Sequence, residues 1–310
     1  MPKLPLYLIV ASLLLAGCGD SDGPAGAASG ADTPLRVVTT TGIIADVAQR
    51  IAGPHAKVEA LMGPGVDPHL YKASESDVRR LSEADLVLYN GLHLEGKMGD
   101  ILTKMARTRP VVAVTEEIPQ DLLREPPEFL GQYDPHVWFD VSMWAQTLAP
   151  IARELSALDP EHAKEFEANA AALEKELNEL DAWVEAQILT VPEPQRILVT
   201  AHDAFGYFGR RYGMEVVGIQ GISTLSEAGL KDVDRVVSLV VDKKVPAIFV
   251  EASVPRRSIE AVQAAVRSRG HEAAIGGQLY SDSLGAAGSP AGTYPGMVRA
   301  NVTTIVNALK

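Results

Sequence analysis

From Leu35 onward, short runs of β-branched and aliphatic residues alternate with longer stretches whose apolar positions recur every three or four residues. The first kind predicts strands and the second amphipathic helices. LRVVTTT (35–41) reads as a strand, and IIADVAQRIAG (43–53) as a helix stopped by Gly53. KVEALM (57–62) is a second strand, left by the loop GPGVDPHLY. Ser74 with Asp77 opens the next helix in a capping-box pattern. DLVLYNG (85–91) and PVVAVTE (110–116) are further strands, and Asp140 can cap a helix over 141–158.

The segment 159–191 differs from everything before it. It has no glycine and, after Pro160, no proline until position 192. Phe166, Ala170, Leu173, Leu177, Leu180 and Val184 fall at helical spacing along it. A helix of roughly 30 residues would reach about 45 Å, enough to act as a backbone between two halves. The alternation then resumes: strands at 196–201, 215–221, 245–253 and 271–277, helices at 204–213, 226–244 and 255–270, and a last helix over 293–310. Strand-helix alternation of this kind predicts parallel sheets covered by helices. The fold class expected is α/β: two (β/α) lobes, 35–158 and 192–310, joined by a linker helix at 159–191, with a site in the cleft between them.

The first residues follow other rules. MPKLPLYLIVASLLLAGC places a lysine before a short apolar run that ends in small residues and Cys18, the only cysteine of the chain. The run has the length of a signal-peptide core rather than of a membrane span. LAGC resembles the lipobox of bacterial lipoproteins, which makes 1–17 a signal peptide and Cys18 the lipidation site. Residues 18–34, rich in Gly, Ala, Ser and Asp, are expected to be a flexible tether. A lone cysteine removes disulfides and thiolate ligands from consideration. The 310 residues carry a formal net charge of −12, which argues against a nucleic-acid binder, since that would need a basic face.

Chemistry collects where the predicted strands end. In open parallel sheets, ligands bind beyond the carboxyl ends of the strands. His69 leaves the second strand, His136 the fourth, His202 the strand ILVTA, Glu251 the strand AIFVE, and Asp282 the strand AAIGG. Two of these stand in the same phrase, DPHLY at 67–71 and DPHVW at 134–138. Proline fixes its own φ and pushes its predecessor to an extended conformation, so each histidine leaves a stiff loop. Asp67 and Asp134 can fold back onto local N–H groups, as Asp does in turns. A turn whose histidine faces water is the competing reading of either phrase, and two such phrases, each at a strand end of the first lobe, weigh against it. His202 alone could cap a helix or be a satisfied core group, and Asp282 alone could be a loop residue. Glu251 is ambiguous between a ligand and a partner that holds an imidazole. His93 is expected to be structural, and His55, His162 and His271 solvated.

In GVDPHLYKASESDVRRLSEADLVLYNGLHLEGKM, YDPHVWFDV, TAHDAFGYFGRRYGMEVVGIQGISTLSEAG, FVEASVPRRSIEAV and LYSDSLG, taken in this order behind a lipobox, the chain resembles the substrate-binding lipoproteins of zinc and manganese ABC importers. The resemblance spans nearly all of 35–310. It implies two lobes bridged by one rigid helix and a metal held by His69, His136, His202 and Asp282, with Glu251 close by as a possible outer partner and His93 not ligating. It also implies a protein that is not an enzyme, held as a monomer on the extracytoplasmic side of the cell membrane by its lipid. That protein would capture Zn2+ or Mn2+ and deliver the ion to a permease served by a separate ATPase, since no GxxxxGK[ST] loop occurs here.

Two departures bear on the metal. The chain lacks the long His/Asp-rich loop of many zinc-dedicated members, and it has His202 where manganese-dedicated members often have glutamate. Three imidazoles and a carboxylate suit zinc, whereas a bidentate aspartate would admit manganese. Two other functions are open: a surface adhesin with a structural metal, and a zinc hydrolase with Glu251 as base, although no HExxH helix is present. Binding through histidines is expected to weaken as pH falls through about 6. The stiff linker should limit closure of the lobes to small, local movements.

Overall fold

The computed structural model describes Met1 and residues 33–310 apart from position 130. The signal peptide, Cys18 and the tether therefore lie outside the described residues. The elements run β1 (Leu35–Thr39), α1 (Gly42–Ala52), β2 (Ala56–Ala60), α2 (Glu75–Glu83), β3 (Leu86–Tyr89), α3 (Gly99–Met105), β4 (Val111–Ala113), α4 (Val141–Trp144), α5 (Leu148–Leu158) and α6 (Ala163–Ile188). They continue β5 (Ile197–His202), α7 (Gly206–Tyr212), β6 (Glu215–Gln220), α8 (Leu230–Asp242), β7 (Ala247–Glu251), α9 (Arg257–Ser268), β8 (Ala274–Leu279) and α10 (Tyr294–Leu309).

The first lobe is one parallel sheet of order β2-β1-β3-β4. In the second, β5 pairs with β6 and β7 with β8, again parallel, and β5 lies alongside β7. Every residue of β5 and β7 is buried, which is why both read as unbroken apolar runs rather than as alternation. Parallel strands end on one side of their sheet, so their exit loops share that side. That common edge positions the site.

Helix α6 has 26 residues, a length of about 39 Å, and buries Phe166, Ala170, Leu173, Leu177, Leu180, Val184 and Ile188. The apolar stripe read from the sequence is thus the face that packs. The helix is shorter than 159–191 because Pro160–His162 form a 3-10 turn before it and 189–191 leave it. A single apolar core includes this stripe, α1 and α5 from the first half, and Leu198, Phe249 and α10 from the second. The two lobes are fused through that core.

Three expectations are corrected, and one unforeseen helix is added. The helix over 141–158 is broken into α4, a 3-10 turn at Ala145–Thr147 and α5. Pro150 has no N–H to give back to the preceding turn and its ring crowds that turn's carbonyl. Helix α8 starts at Leu230 and not at 226: Gly229 is extended, and its N–H donates to Asp232 Oδ2 at 2.9 Å, which sets the first turn. Strand β8 lies three residues beyond its expected start and runs through Gly276 and Gly277, where strand pairing shifts register opposite Ile248/Phe249. A Cβ on Gly276 would stand 2.6 Å from the Phe249 ring, so the glycines are part of the strand and not its end. Helix α3, short and without a side-chain cap, had no signal in the sequence.

Candidate metal centre

Each of the four strand-end candidates arrives on its own element. His69 follows β2, His136 precedes a 3-10 turn at Val137–Phe139, His202 is the last residue of β5, and Asp282 follows β8. Asn301 of α10 clamps the exit of β8, accepting from Tyr280 N at 2.9 Å and donating to Tyr280 O at 2.8 Å. Trp138 Nε1 donates to Ser281 O at 2.9 Å, which ties the Asp282 turn to the His136 loop.

The four side chains meet at one buried point. His136 and His202 have no exposure, Asp282 1% and His69 2%. One donor atom from each lies within 4.8 Å of all the others. His69 Nε2 is 3.3 Å from His136 Nε2, Asp282 Oδ1 is 3.5 Å from His136 Nε2, and Asp282 Oδ2 is 3.4 Å from His202 Nε2. Donors placed about 2.0–2.1 Å from a zinc ion at tetrahedral corners are separated by about 3.3 Å. His202 Nε2 and Asp282 Oδ1 are buried without a hydrogen-bond partner. Each such orphan costs about 1–3 kcal/mol unless something satisfies it. A cation at the centre would satisfy both, so these residues fit a metal.

The repeated DPH phrase has a structural reason. Asp67 Oδ1 accepts from His69 N at 2.9 Å, and Asp134 Oδ1 accepts from His136 N at 3.0 Å. Both aspartates fold back on the backbone of the histidine they precede. Their second roles diverge. Asp134 Oδ1 also meets His136 Nδ1 at 2.8 Å, while its other oxygen pairs with Arg124. Asp67 Oδ2 instead accepts from Thr224 Oγ1 of the other lobe at 2.6 Å. Glu251, ambiguous in the sequence, stands behind His202: its Oε2 is 2.5 Å from Nδ1, and its Oε1 accepts from His202 N at 2.9 Å. Carboxylates that hold the far nitrogen in this way fix tautomer and ring orientation, leaving Nε2 for the ion.

Sequence reasoning missed several supports. Tyr207 Oη donates to Asp134 O at 2.9 Å and accepts from Arg124 N at 3.0 Å. Asn90 Nδ2 donates to Pro135 O at 3.1 Å, steadying the second DPH loop. Gly65 N donates to Ser283 Oγ at 2.9 Å, a second bond across the cleft beside Thr224–Asp67. Such partners are distant in the chain and carry no local pattern.

Charge at the centre is unevenly held. Burial pushes His69 down to about 3, with His136 and His202 adding to the effect and Asp282 opposing it. Burial also works against charge on His202, but the Glu251 and Asp282 carboxylates outweigh it and hold its pKa well above the usual histidine value. Burial would raise Asp282, yet the imidazoles, His202 foremost, keep it below the usual carboxylate range.

The remaining histidines are elsewhere. His93 is exposed, with left-handed backbone (φ 64°), and lies outside the cluster. His55, His162 and His271 are half-buried rather than solvated. His271 Nε2 donates to Val245 O at 2.9 Å. His55 and His162 stack at 3.6 Å with planes 20° apart, each backed by a carboxylate: His55 by Glu165 at 3.0 Å and His162 by Asp159 at 2.7 Å. Imidazole lone pairs lie in the ring plane, so face-to-face rings direct them side by side rather than at a shared ion. This pair pins the turn after α1 to the start of α6.

Backbone spacing beneath His202 is equally constrained. A Cβ on Gly218 of β6 would lie 2.5 Å from Asp203 N, in the residue that follows His202. Neither strand can yield, so Gly218→Ala is expected to displace His202 and weaken metal binding by about tenfold or more, the lower end of what disturbed ligand orientation costs. Isothermal titration beside the unmodified protein checks it.

The chain matches the family model described as zinc-uptake complex component A, periplasmic, over residues 37–308. It is 48% identical over 305 residues to the manganese-binding lipoprotein MntA of Bacillus subtilis, covering 98% of this chain and 97% of that one. It is 49% identical over 281 residues to the zinc-binding protein TroA of Treponema pallidum, covering 90% of each. The solved structure of that periplasmic zinc-binding protein superposes with a TM-score of 0.87 at 48% identity, covering 89% of this chain and 99% of the other. The family is one of transport components and not of enzymes, which removes the hydrolase reading. Its extent and these likenesses place the chain in the ZnuA family of metal ABC-transporter substrate-binding proteins.

Proposed function

We propose that His69, His136, His202 and Asp282 bind one divalent transition-metal ion, Zn2+ or Mn2+, which the protein captures outside the cytoplasm and hands to a membrane permease. A separate ATPase polypeptide drives that import. The observation that supports this most is the convergence of four buried donors within 4.8 Å of one another, with two donor atoms otherwise unpartnered. Relatives named for manganese and for zinc make both ions candidates. The Irving–Williams order puts zinc ahead in affinity at a given nitrogen and oxygen site. The protein acts as a monomer, anchored by a lipid on Cys18, with lobes at 35–158 and 192–310 joined by the linker at 159–191. An adhesive role has no specific observation in its favour.

The outer carboxylates do part of the work. Glu251 and Asp134 hold the imidazoles of His202 and His136 with Nε2 inward, so little ordering is left for the moment of binding. Bonds across the cleft, Thr224 to Asp67 and Gly65 to Ser283, close the lobes over His69 and Asp282. Release requires those few bonds to part while the core around α6 stays packed.

Metal competes with protons for His202, whose pKa burial would lower but the Glu251 and Asp282 carboxylates hold above the usual histidine value. The sign follows directly: below the raised pKa of His202 each bound ion releases about one proton, so affinity falls about tenfold per pH unit as pH drops. The decline begins above pH 6, because Glu251 and Asp282 hold the proton, and His69, at about 3, adds nothing until far lower. Competition titrations of Zn2+ with a chelator of known proton affinity, from pH 8 to 5, check this. Constant affinity over that range would remove His202 as a ligand. Elemental analysis of protein from its native host, followed by competition between the two ions, tests the reading as a whole: one ion per chain is expected.

A further inference from the structure

The four side chains of the centre are not held alike. The loop that carries His136 belongs to the apolar core shared by both halves, with Val137, Trp138 and Phe139 buried in it. Residues of the second lobe grip that loop along its length. Tyr207 Oη donates to Asp134 O at 2.9 Å, Trp138 Nε1 donates to Ser281 O at 2.9 Å, and Tyr294 Oη donates to Trp138 O at 2.8 Å. The Phe139 and Phe205 rings stack at 4.1 Å. His136 therefore sits on the same body as His202 and Asp282, although its segment precedes the linker helix in the chain.

His69 is rooted elsewhere. Leu61, Met62, Val66 and Tyr71, on either side of it, pack into a separate apolar cluster whose residues all come from the first lobe. Among the described residues, this loop is hydrogen-bonded to the second lobe at two places. Thr224 Oγ1 donates to Asp67 Oδ2 at 2.6 Å, and Gly65 N donates to Ser283 Oγ at 2.9 Å. A cavity of about 380 Å3 lies beside the first of these, lined by Asp67, Leu70, Thr224, Val233 and Val254, so loop and lobe are not packed together there. Carboxylates stand behind the other two imidazoles, Asp134 at 2.8 Å from His136 Nδ1 and Glu251 at 2.5 Å from His202 Nδ1. His69 Nδ1 has no hydrogen-bond partner among the described residues.

We propose that the site is built as three plus one: His136, His202 and Asp282 form a fixed platform, His69 is the ligand that leaves first, and Thr224 is the positioning residue that sets how fast it leaves. This rests on the metal-site reading above and adds to it the order and control of release. A hydroxyl that donates to a charged carboxylate at 2.6 Å makes one of the stronger hydrogen bonds. Asp67 Oδ1 accepts from His69 N at 2.9 Å, so the bond from Thr224 reaches His69 through a single side chain. When Thr224 lets go, the loop carries His69 away while the shared core keeps the other three donors in place. Three protein ligands and a water are a stable zinc arrangement in their own right, so the platform keeps the ion with one corner open to an incoming ligand.

The test follows Zn2+ release from the mature chain into an excess of a chromophoric chelator by stopped flow, beside Zn2+ affinity. Thr224→Val is expected to speed release about tenfold, the size of effect a hydrogen bond to a charged group exerts, and Thr224→Ser to restore the parent rate. His69→Ala is expected to keep one Zn2+ per chain and to bind it at least about tenfold more tightly than His136→Ala, which also strands the Asp134 carboxylate. In the His69→Ala background, Thr224→Val should no longer change the release rate, because the two residues act as one unit. A side chain that merely steadies the fold would lower the Tm of the metal-free protein and leave release alone, and that result overturns the proposal. So does an acceleration by Thr224→Val that persists without His69, or an equal loss of affinity in His69→Ala and His136→Ala. Absence of Zn2+ binding by the unmodified protein would instead sink the site itself, and the two failures are distinguishable.

Discussion

His202→Ala is expected to lower affinity for Zn2+ by more than a hundredfold. Loss of an outer partner alone typically costs 10–100-fold, and here a ligand leaves together with the function of its partner. Without the imidazole, Glu251 stays behind as a buried carboxylate whose main contact is gone, since Oε2 meets His202 Nδ1 at 2.5 Å and Oε1 accepts from the same residue's backbone. The metal-free variant should therefore also be less stable than its parent. Isothermal titration, with competition by a chelator where binding is tight, measures the loss directly. His162→Ala is the matched control. It removes a histidine that stacks on His55 and is not one of the four clustered donors, and should cost a little stability while leaving affinity unchanged.

The second large effect is on unfolding. An ion that binds only the folded state adds RT ln(1 + [L]/Kd), about 4 kcal/mol at a thousandfold excess over Kd. For a folded body of this size that corresponds to a rise in Tm of about 10 °C. The gain has a structural source: His202 Nε2 and Asp282 Oδ1 are buried without partners until a cation satisfies them. Calorimetry with and without excess Zn2+ checks it. The shift should be nearly abolished in His202→Ala and retained in His162→Ala. Equal shifts in all three proteins would mean that the ion stabilises the chain from somewhere else.

Much of the centre could be read from the chain. Parallel strands buried on both faces carry a strong apolar signal, and the polar residue that ends such a strand is conspicuous, as His202 after ILVTA and Glu251 after AIFV demonstrate. The prolines before His69 and His136 and the aspartates before them encode their turn locally, so the folding back of Asp67 and Asp134 was visible in advance. What stayed hidden depends on residues brought together only by the fold. Nothing near Asp134 announces Tyr207, and nothing near Asp67 announces Thr224. The stacking of His55 on His162 is hidden for the same reason, since it joins positions more than a hundred residues apart. Boundaries failed where one residue overruled a periodic pattern, as Pro150 did in the helix before α6 and Gly276–Gly277 did in β8.

Diffraction from zinc-soaked crystals, recorded on both sides of the zinc absorption edge, bears most directly on the centre. The expected result is a single anomalous peak about 2.0–2.2 Å from His69 Nε2, His136 Nε2, His202 Nε2 and an oxygen of Asp282. A peak at any other place, or one that leaves two of these four side chains out of contact, would contradict it.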